Sequence, residues 1–194
     1  MPNFPLAEIL YLFSVGLIFA ALEVQIEGEN GWASKLPTRR FGSGGWFSKI
    51  YRLILFGKDA TLYHLLIFTL LLFFLHYPYF ANGEWNFGEE LRALSLFFLI
   101  SVVWDFLWFL INPHYGLSRF GAQNVWWHKK WFLFIPIDYW SGIILSFLFY
   151  TRFSLNASFL KEWLVLFVLY LALIFTVFAA VSFARKFKLT RQSK

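Results

Sequence analysis

The sequence predicts an all-helical integral membrane protein, with five transmembrane helices in one domain over residues 1–194. Of its residues, 59% are hydrophobic and 14% are charged, whereas a soluble domain carries about 25% charged residues. Five apolar runs approach the roughly 20 residues that cross a bilayer as a helix. The lysines and arginines fall mostly in alternate connections between these runs, as membrane topology requires.

The five runs define the predicted spans in chain order. The first run has no basic start and ends at Glu23, which indicates a mature helix rather than a signal peptide. The second follows Asp59 and Thr61, both typical of helix starts, and the third stops at Asn112 and Pro113. The predicted spans cover about residues 4–22, 62–80, 93–111, 131–150 and 163–183.

The distribution of positive charge predicts the orientation of these spans. Lysine and arginine concentrate on the cytoplasmic side of membrane proteins. Of the 17 in this chain, only Arg92, Arg152 and Lys161 lie on the side of the first residue. We therefore expect the N-terminus outside and the C-terminus in the cytoplasm, in a bacterial-type cytoplasmic membrane.

The first cytoplasmic connection contains a further predicted helix over about residues 46–56. Aromatic and aliphatic residues alternate there with Lys49 and Arg52, a mixture typical of amphipathic helices that lie on a membrane. Anionic headgroups of the inner leaflet are the expected partners of its basic side chains. A cytoplasmic extension of the second span is the alternative.

Composition also excludes several kinds of site. The chain has no cysteine, which excludes disulfides, thiolate nucleophiles and cysteine-ligated metals. No basic stripe with interleaved exposed aromatics occurs outside the apolar runs, so nucleic acid is not an expected partner. The sequence contains no HExxH, GxSxG or P-loop motif that would define a reaction.

Ionisable residues within the spans are concentrated near the cytoplasmic boundary. Inserting such a residue into a bilayer costs free energy. Ionisable residues therefore occur in spans mainly where they form ion pairs, face a water-filled cavity or take part in the function of the protein. Asp105 has the strongest signal, because it lies inside an apolar run without a polar neighbour. Four predicted helix ends contribute to this layer, whose members are Glu23, Glu27, His64, Asp105, His128 and Asp138.

Carboxylates and imidazoles together suit two kinds of chemistry. They bind a divalent metal such as zinc, iron, manganese or magnesium, and they also support metal-free acid–base catalysis. The predicted catalytic residues are Asp105, His64 and Asp138. The predicted metal ligands are Glu23, Glu27, His64, Asp105 and His128.

These features predict a membrane enzyme with a cytoplasm-facing Asp/Glu/His site that acts on a lipidic or isoprenoid-like substrate. Five helices with carboxylates and histidines in a membrane cavity resemble, in outline, the emopamil-binding sterol isomerases. That resemblance is architectural and transfers no residue roles to this chain. A proton or metal-ion transporter and a non-catalytic membrane subunit are the alternatives.

Overall fold

Helices make up most of the structure, a computed structural model that describes residues 6–42, 44–154 and 156–192. The helices are α1 (Leu6–Glu27), α2 (Trp46–Ile54), α3 (Leu62–Asn82), α4 (Phe87–Ile111), α5 (Ile137–Tyr150) and α6 (Ala157–Gln192). A 3-10 turn spans Leu117–Arg119, and strands β1 (Trp131–Phe132) and β2 (Ile135–Pro136) pair antiparallel. Phe4 and Pro5 of the first predicted span, Ser43 and Lys194 lie outside the described residues.

Within the described residues, four helices are long and apolar enough to cross a membrane: α1, α3, α4 and the Ala157–Phe187 part of α6. Few of the apolar side chains of α3 and α6 are buried, and partly and fully exposed apolar surface of this extent needs lipid as its solvent. The prediction of a helical membrane protein is confirmed at this level.

The fourth predicted span is shorter in the structure than in the sequence-based prediction. It begins at Ile137 instead of Trp131, because Leu133 and Phe134 adopt left-handed backbone angles and turn the chain back into the β1–β2 hairpin. Pro136 then precedes the first turn of α5. With 14 residues, α5 is about 21 Å long, which is less than the roughly 30 Å of a bilayer core.

Side-chain caps explain where two of the spanning helices begin. The Thr61 side chain accepts a hydrogen bond from the backbone N–H of His64 at the start of α3, and Asn86 does the same for Glu89 in α4. These bonds satisfy backbone donors that the first helical turn leaves free. Gly83 ends α3 in a left-handed conformation, which glycine adopts without strain.

α4 is the central helix and packs mainly against α1 and α5. Its C-terminal end meets the end of α1, where Asn112 donates a 2.7 Å hydrogen bond to the Gly28 carbonyl. The end of α6 reaches the same place, since Arg185 donates to the Asn112 carbonyl. We call this end of the bundle, which also holds the starts of α3 and α5, the site end.

The opposite end of the bundle holds ion pairs between helices. Arg92 of α4 contacts Glu8 of α1 at 2.6 Å, and His76 of α3 lies 3.1 Å from Glu90 of α4. These contacts show that α1 and α4 run parallel and that α3 runs against both. His76 and Glu8 therefore have partners away from the site end.

Candidate functional site

Two clusters of ionisable side chains lie next to each other at the site end. One consists of Asp105, His128, Asp138 and Lys58, which we call the ion-pair row. The other consists of Glu23, Glu27 and His64, which we call the glutamate–histidine group. Together they contain all six residues of the predicted cytoplasmic layer.

The ion-pair row alternates acidic and basic groups in direct contact. His128 Nε2 lies 3.2 Å from Asp105 Oδ2, and His128 Nδ1 lies 2.9 Å from Asp138 Oδ2. Lys58 Nζ extends the row, 2.6 Å from the same Asp138 oxygen. When both aspartates are ionised, both ring nitrogens of His128 donate, and the row balances two negative charges with two positive ones.

The row is presented by the loop before α5 and by the first turn of that helix. Asp138 and Tyr139 are the second and third residues after Pro136, and the Tyr139 hydroxyl donates a hydrogen bond to Asp105 Oδ2. The His128 side chain is fully buried, whereas the Asp105 side chain is 29% exposed. Asp105 is therefore accessible to a ligand, whereas the buried Tyr139 and His128 side chains contact its carboxylate within the protein.

A cavity of about 310 Å³ adjoins Asp105 and Tyr139. One face each of α3, α4 and α5 forms its walls, and α2 covers part of it with Tyr51 and Leu55. Apolar side chains dominate the lining, with Phe68, Phe97 and Leu145 among them. Such a volume is at the lower end of the range of small-molecule sites.

Tyr51 is the polar contribution of α2 to this cavity. Its hydroxyl is buried and has no hydrogen-bond partner among the described residues. Burial raises the pKa of the Tyr51 phenol above its usual value, because the phenolate would lose its hydration. Tyr51 is therefore a neutral hydrogen-bonding group that faces the cavity.

The glutamate–histidine group is buried and more loosely spaced. Glu23 and Glu27 are one turn apart, and α1 extends beyond its predicted end at residue 22, so both point to the same side. His64 Nε2 lies 3.9 Å from Glu23 Oε1 and 3.6 Å from Glu27 Oε1. These separations are longer than hydrogen bonds. His64 Nδ1 is 2.7 Å from the Thr61 hydroxyl.

Trp32 lies between the two clusters. Its ring stacks on His64 at a centroid distance of 3.8 Å, and Lys58 Nζ lies 4.4 Å from the ring centroid on the way to Asp138. The indole N–H donates to the Asp59 carbonyl at 2.9 Å. The clusters thus share one wall of stacked side chains.

The loop that carries Trp32 is conformationally demanding. Gly31, Trp32 and Ala33 all have positive φ, between 47° and 59°, which is costly for residues other than glycine. A Cβ at Gly31 would lie 2.5 Å from Cζ3 of Trp127, so only glycine fits there. The backbone N–H of Ala33 donates to Glu27 Oε1, which ties the loop to α1.

The structure divides the predicted metal ligands. Glu23, Glu27 and His64 offer ligand atoms within 4.8 Å of one another. Asp105 and His128, which were predicted as ligands of the same site, are bonded to each other in the ion-pair row. His64, predicted as a catalytic partner of Asp105 and Asp138, lies in the glutamate–histidine group.

Three residues of the site were missed by sequence reasoning. Lys58 counted there as one of the basic loop residues, but it is 6% exposed and pairs with Asp138. No sequence signal distinguished it from the other basic residues of that loop. No pattern distinguished Tyr139 or Trp32 from the many other aromatic residues of this chain.

Comparisons of the chain with family models, with curated proteins and with solved structures gave no match. The geometry of the two clusters and the adjoining cavity is therefore the basis for the functional argument.

Proposed function

We propose that this protein is a membrane enzyme that transfers protons to and from a lipidic, isoprenoid-like substrate held in the cavity. One observation carries the proposal: Asp105 and Tyr139, hydrogen-bonded to each other, lie at the polar end of an otherwise apolar cavity. A carboxylate that accepts a hydrogen bond from a protein hydroxyl and borders an apolar cavity is suited to acid–base catalysis.

In this proposal Asp105 is the group that exchanges a proton with the substrate. Tyr139 donates to the carboxylate, and His128 on its other side stabilises the ionised form. Asp138 and Lys58 fix the orientation of His128 from behind. This arrangement keeps a charged acid–base group in place at low dielectric, where its interactions are strong.

The lining of the cavity supports a substrate with a long apolar part and an uncharged reacting group. Phenylalanine and leucine side chains surround most of the volume. The ion-pair row at the polar end balances its own charges, so a charged headgroup there would lose its hydration without gaining a counter-ion. A neutral alcohol, carbonyl or double bond of a lipid suits the polar end better.

We further propose that α5 is a fifth crossing, with the site end in the cytoplasm. The contact between Ser95 of α4 and Ser146 of α5, at 2.8 Å, and that between Tyr150 of α5 and Glu162 of α6, at 3.0 Å, support it. They bring the end of α5 to the end of the bundle opposite the site. Basic residues predominate in the connections at the site end, which supports a cytoplasmic position in a bacterial-type membrane.

In the same proposal α2 lies on the inner leaflet, and its basic side chains contact anionic headgroups. Trp46, Ile50 and Leu53 are exposed on α2 and would enter the interface, while Tyr51 faces the cavity. A lipid could then enter beneath α2.

A transporter is less well supported than an enzyme. Between Arg92 and Asp105, the hydroxyl side chains of α4 are Ser95 and Ser101. Both donate to backbone carbonyls within the bundle. A conducting path would need polar groups through the whole thickness of the membrane.

Deuterium incorporation into a mixture of candidate lipids tests the proposal. The purified protein, reconstituted with a polar and neutral lipid extract in deuterated water, should label a lipid at carbon, as mass spectrometry can detect. Asp105→Asn should reduce the labelling rate by about 10²–10⁴-fold, and Tyr139→Phe by less. Asp59→Asn, at a part-exposed carboxylate outside the row, is the matched control and should retain the rate. Wild-type labelling no faster than that of Asp105→Asn would refute the proposal.

A further inference from the structure

The glutamate–histidine group has the spacing of a metal shell. His64 Nε2 lies 3.6 Å from the nearest oxygen of Glu27 and 3.9 Å from that of Glu23. Bonds of about 2.0–2.2 Å to a divalent ion place neighbouring ligand atoms about 3 to 3.5 Å apart. A small inward movement of these side chains would complete the shell.

The charge of the group is not balanced by protein residues. Two buried carboxylates lie beside one imidazole, and among the described residues no lysine or arginine forms an ion pair with Glu23 or Glu27. The nearest buried cation, Lys58, is bonded to Asp138. When both carboxyls are ionised, their buried and uncompensated charges are costly by several kcal/mol each, and one divalent cation would remove the imbalance.

Trp104 provides an independent indication of a missing ligand. Its side chain is 3% exposed, and its indole N–H points toward the Glu23 carboxyl, at a geometry too loose for a well-formed hydrogen bond. Buried donors without a partner are rare in folded proteins. A Glu23 carboxylate held in place by a metal through one oxygen would present its other oxygen as the acceptor that this N–H lacks.

The surroundings of His64 also suit a metal ligand. The Thr61 hydroxyl lies 2.7 Å from Nδ1 and holds the ring with Nε2 toward the glutamates. Metal-bound histidines usually donate the proton on their other nitrogen to such an acceptor. Trp32, stacked on the imidazole ring, keeps it in place.

We propose that Glu23, Glu27 and His64 bind one divalent first-row transition metal ion, of the class of manganese, iron or zinc. A nitrogen and carboxylate oxygens without thiolate suit these ions. The site does not include Asp105 or Tyr139, which carry the proposed proton transfer. The two proposals can therefore fail independently.

Metal analysis of the full-length protein tests this site. Protein in lipid nanodiscs, stripped with a chelator, is equilibrated with Mn²⁺, Fe²⁺ or Zn²⁺, separated from free ion and analysed for elemental content. We expect one equivalent of at least one of these ions in the wild type. Glu23→Gln, Glu27→Gln and His64→Gln should each weaken binding by about 100-fold or more, since loss of outer-shell partners alone costs about 10–100-fold.

Glu29→Gln is the matched control, because Glu29 is an exposed carboxylate close in sequence, and it should retain one equivalent. Cobalt substitution gives a second measurement that does not depend on how well a variant folds. The visible absorption of bound Co²⁺ should saturate at one equivalent in the wild type and disappear when Zn²⁺ displaces the cobalt. Failure of all three ions to bind at one equivalent, or equal binding by the three variants and the control, would overturn the proposal. Asp105→Asn should keep the metal even where labelling activity is lost.

Discussion

The ion-pair row and the glutamate–histidine group are neighbours, but they differ in how their charges are compensated. In the row, contacts of 2.6–3.2 Å join each acidic group to a basic one. In the group, His64 lies 3.6 Å or more from the glutamates and no other basic residue of the described chain pairs with them. Both are largely shielded from water.

In the two proposals above, this difference distinguishes an acid–base centre that is already assembled from a site that binds a cation. A row with matched charges holds its geometry without a ligand, because every buried group has a partner. A group with two unmatched carboxylates is stabilised when a cation arrives, in proportion to its affinity and concentration. Removing one carboxylate charge should therefore lower the free energy of unfolding when it comes from the row and raise it when it comes from the group.

The largest expected effect is the loss of Lys58. Lys58→Met would leave Asp138 buried without its lysine partner, and removing one partner of a buried ion pair costs about 3–5 kcal/mol. The free energy of unfolding in mixed micelles, measured by denaturant titration, should fall by this amount. The double variant Lys58→Met with Asp138→Asn should recover part of the loss, because both charges are then absent.

Lys130→Met is the control for this prediction, since Lys130 is exposed beside the same hairpin. It should change the unfolding free energy by less than about 0.5 kcal/mol, as surface substitutions usually do. Equal losses for Lys58→Met and Lys130→Met would show that the row does not stabilise the fold.

A smaller effect, of opposite sign in the two clusters, is expected from neutralising one carboxylate in each. In chelator-treated protein, Asp105→Asn should lower the unfolding free energy by about 1–3 kcal/mol, because His128 and Tyr139 lose a charged acceptor. Glu23→Gln should raise it, since one of two unbalanced carboxylates is removed. Added metal should stabilise the wild type and Asp105→Asn but not Glu23→Gln. If both variants destabilise the stripped protein equally, the difference in charge balance has no energetic consequence.

The sequence predicted that these acidic and imidazole residues lie at one end of the bundle, but it could not predict how they divide into two clusters. Costly residues such as Asp105 and Glu23 stand out in apolar helices, and helix direction places them at one end. Lys58 could not be distinguished from other loop lysines, because its burial depends on where the hairpin before α5 places Asp138. The position of the Trp32 ring against His64 depends on a run of left-handed backbone angles in the loop after α1. Few sequence signals indicate such angles at residues other than glycine.

The fold was predictable to a similar extent. Apolar length identified the regions of α1, α3, α4 and α6, since the bilayer sets a minimum span. The start of α5 was not predictable in the same way. Residues Trp131 to Pro136 are as apolar as the start of a spanning helix, but they form the β1–β2 hairpin. Left-handed backbone angles at Leu133 and Phe134 form that turn, and the Trp131 indole N–H donates to the His128 carbonyl just before it.

The smallest expected effect concerns Thr61, which is both the cap of α3 and the partner of His64. Thr61→Ala and Asn86→Ala each remove one helix cap, at opposite ends of the bundle, and each should cost about 1 kcal/mol of unfolding free energy. Only Thr61→Ala also frees the His64 ring, so it alone should weaken metal binding, by about 10–100-fold. Thr61→Ser keeps the hydroxyl and should restore both properties. If Thr61→Ala and Asn86→Ala leave metal affinity equally unchanged, His64 is held by Trp32 stacking and not by its hydrogen bond. The preorganisation of the group would then come from the strained loop after α1.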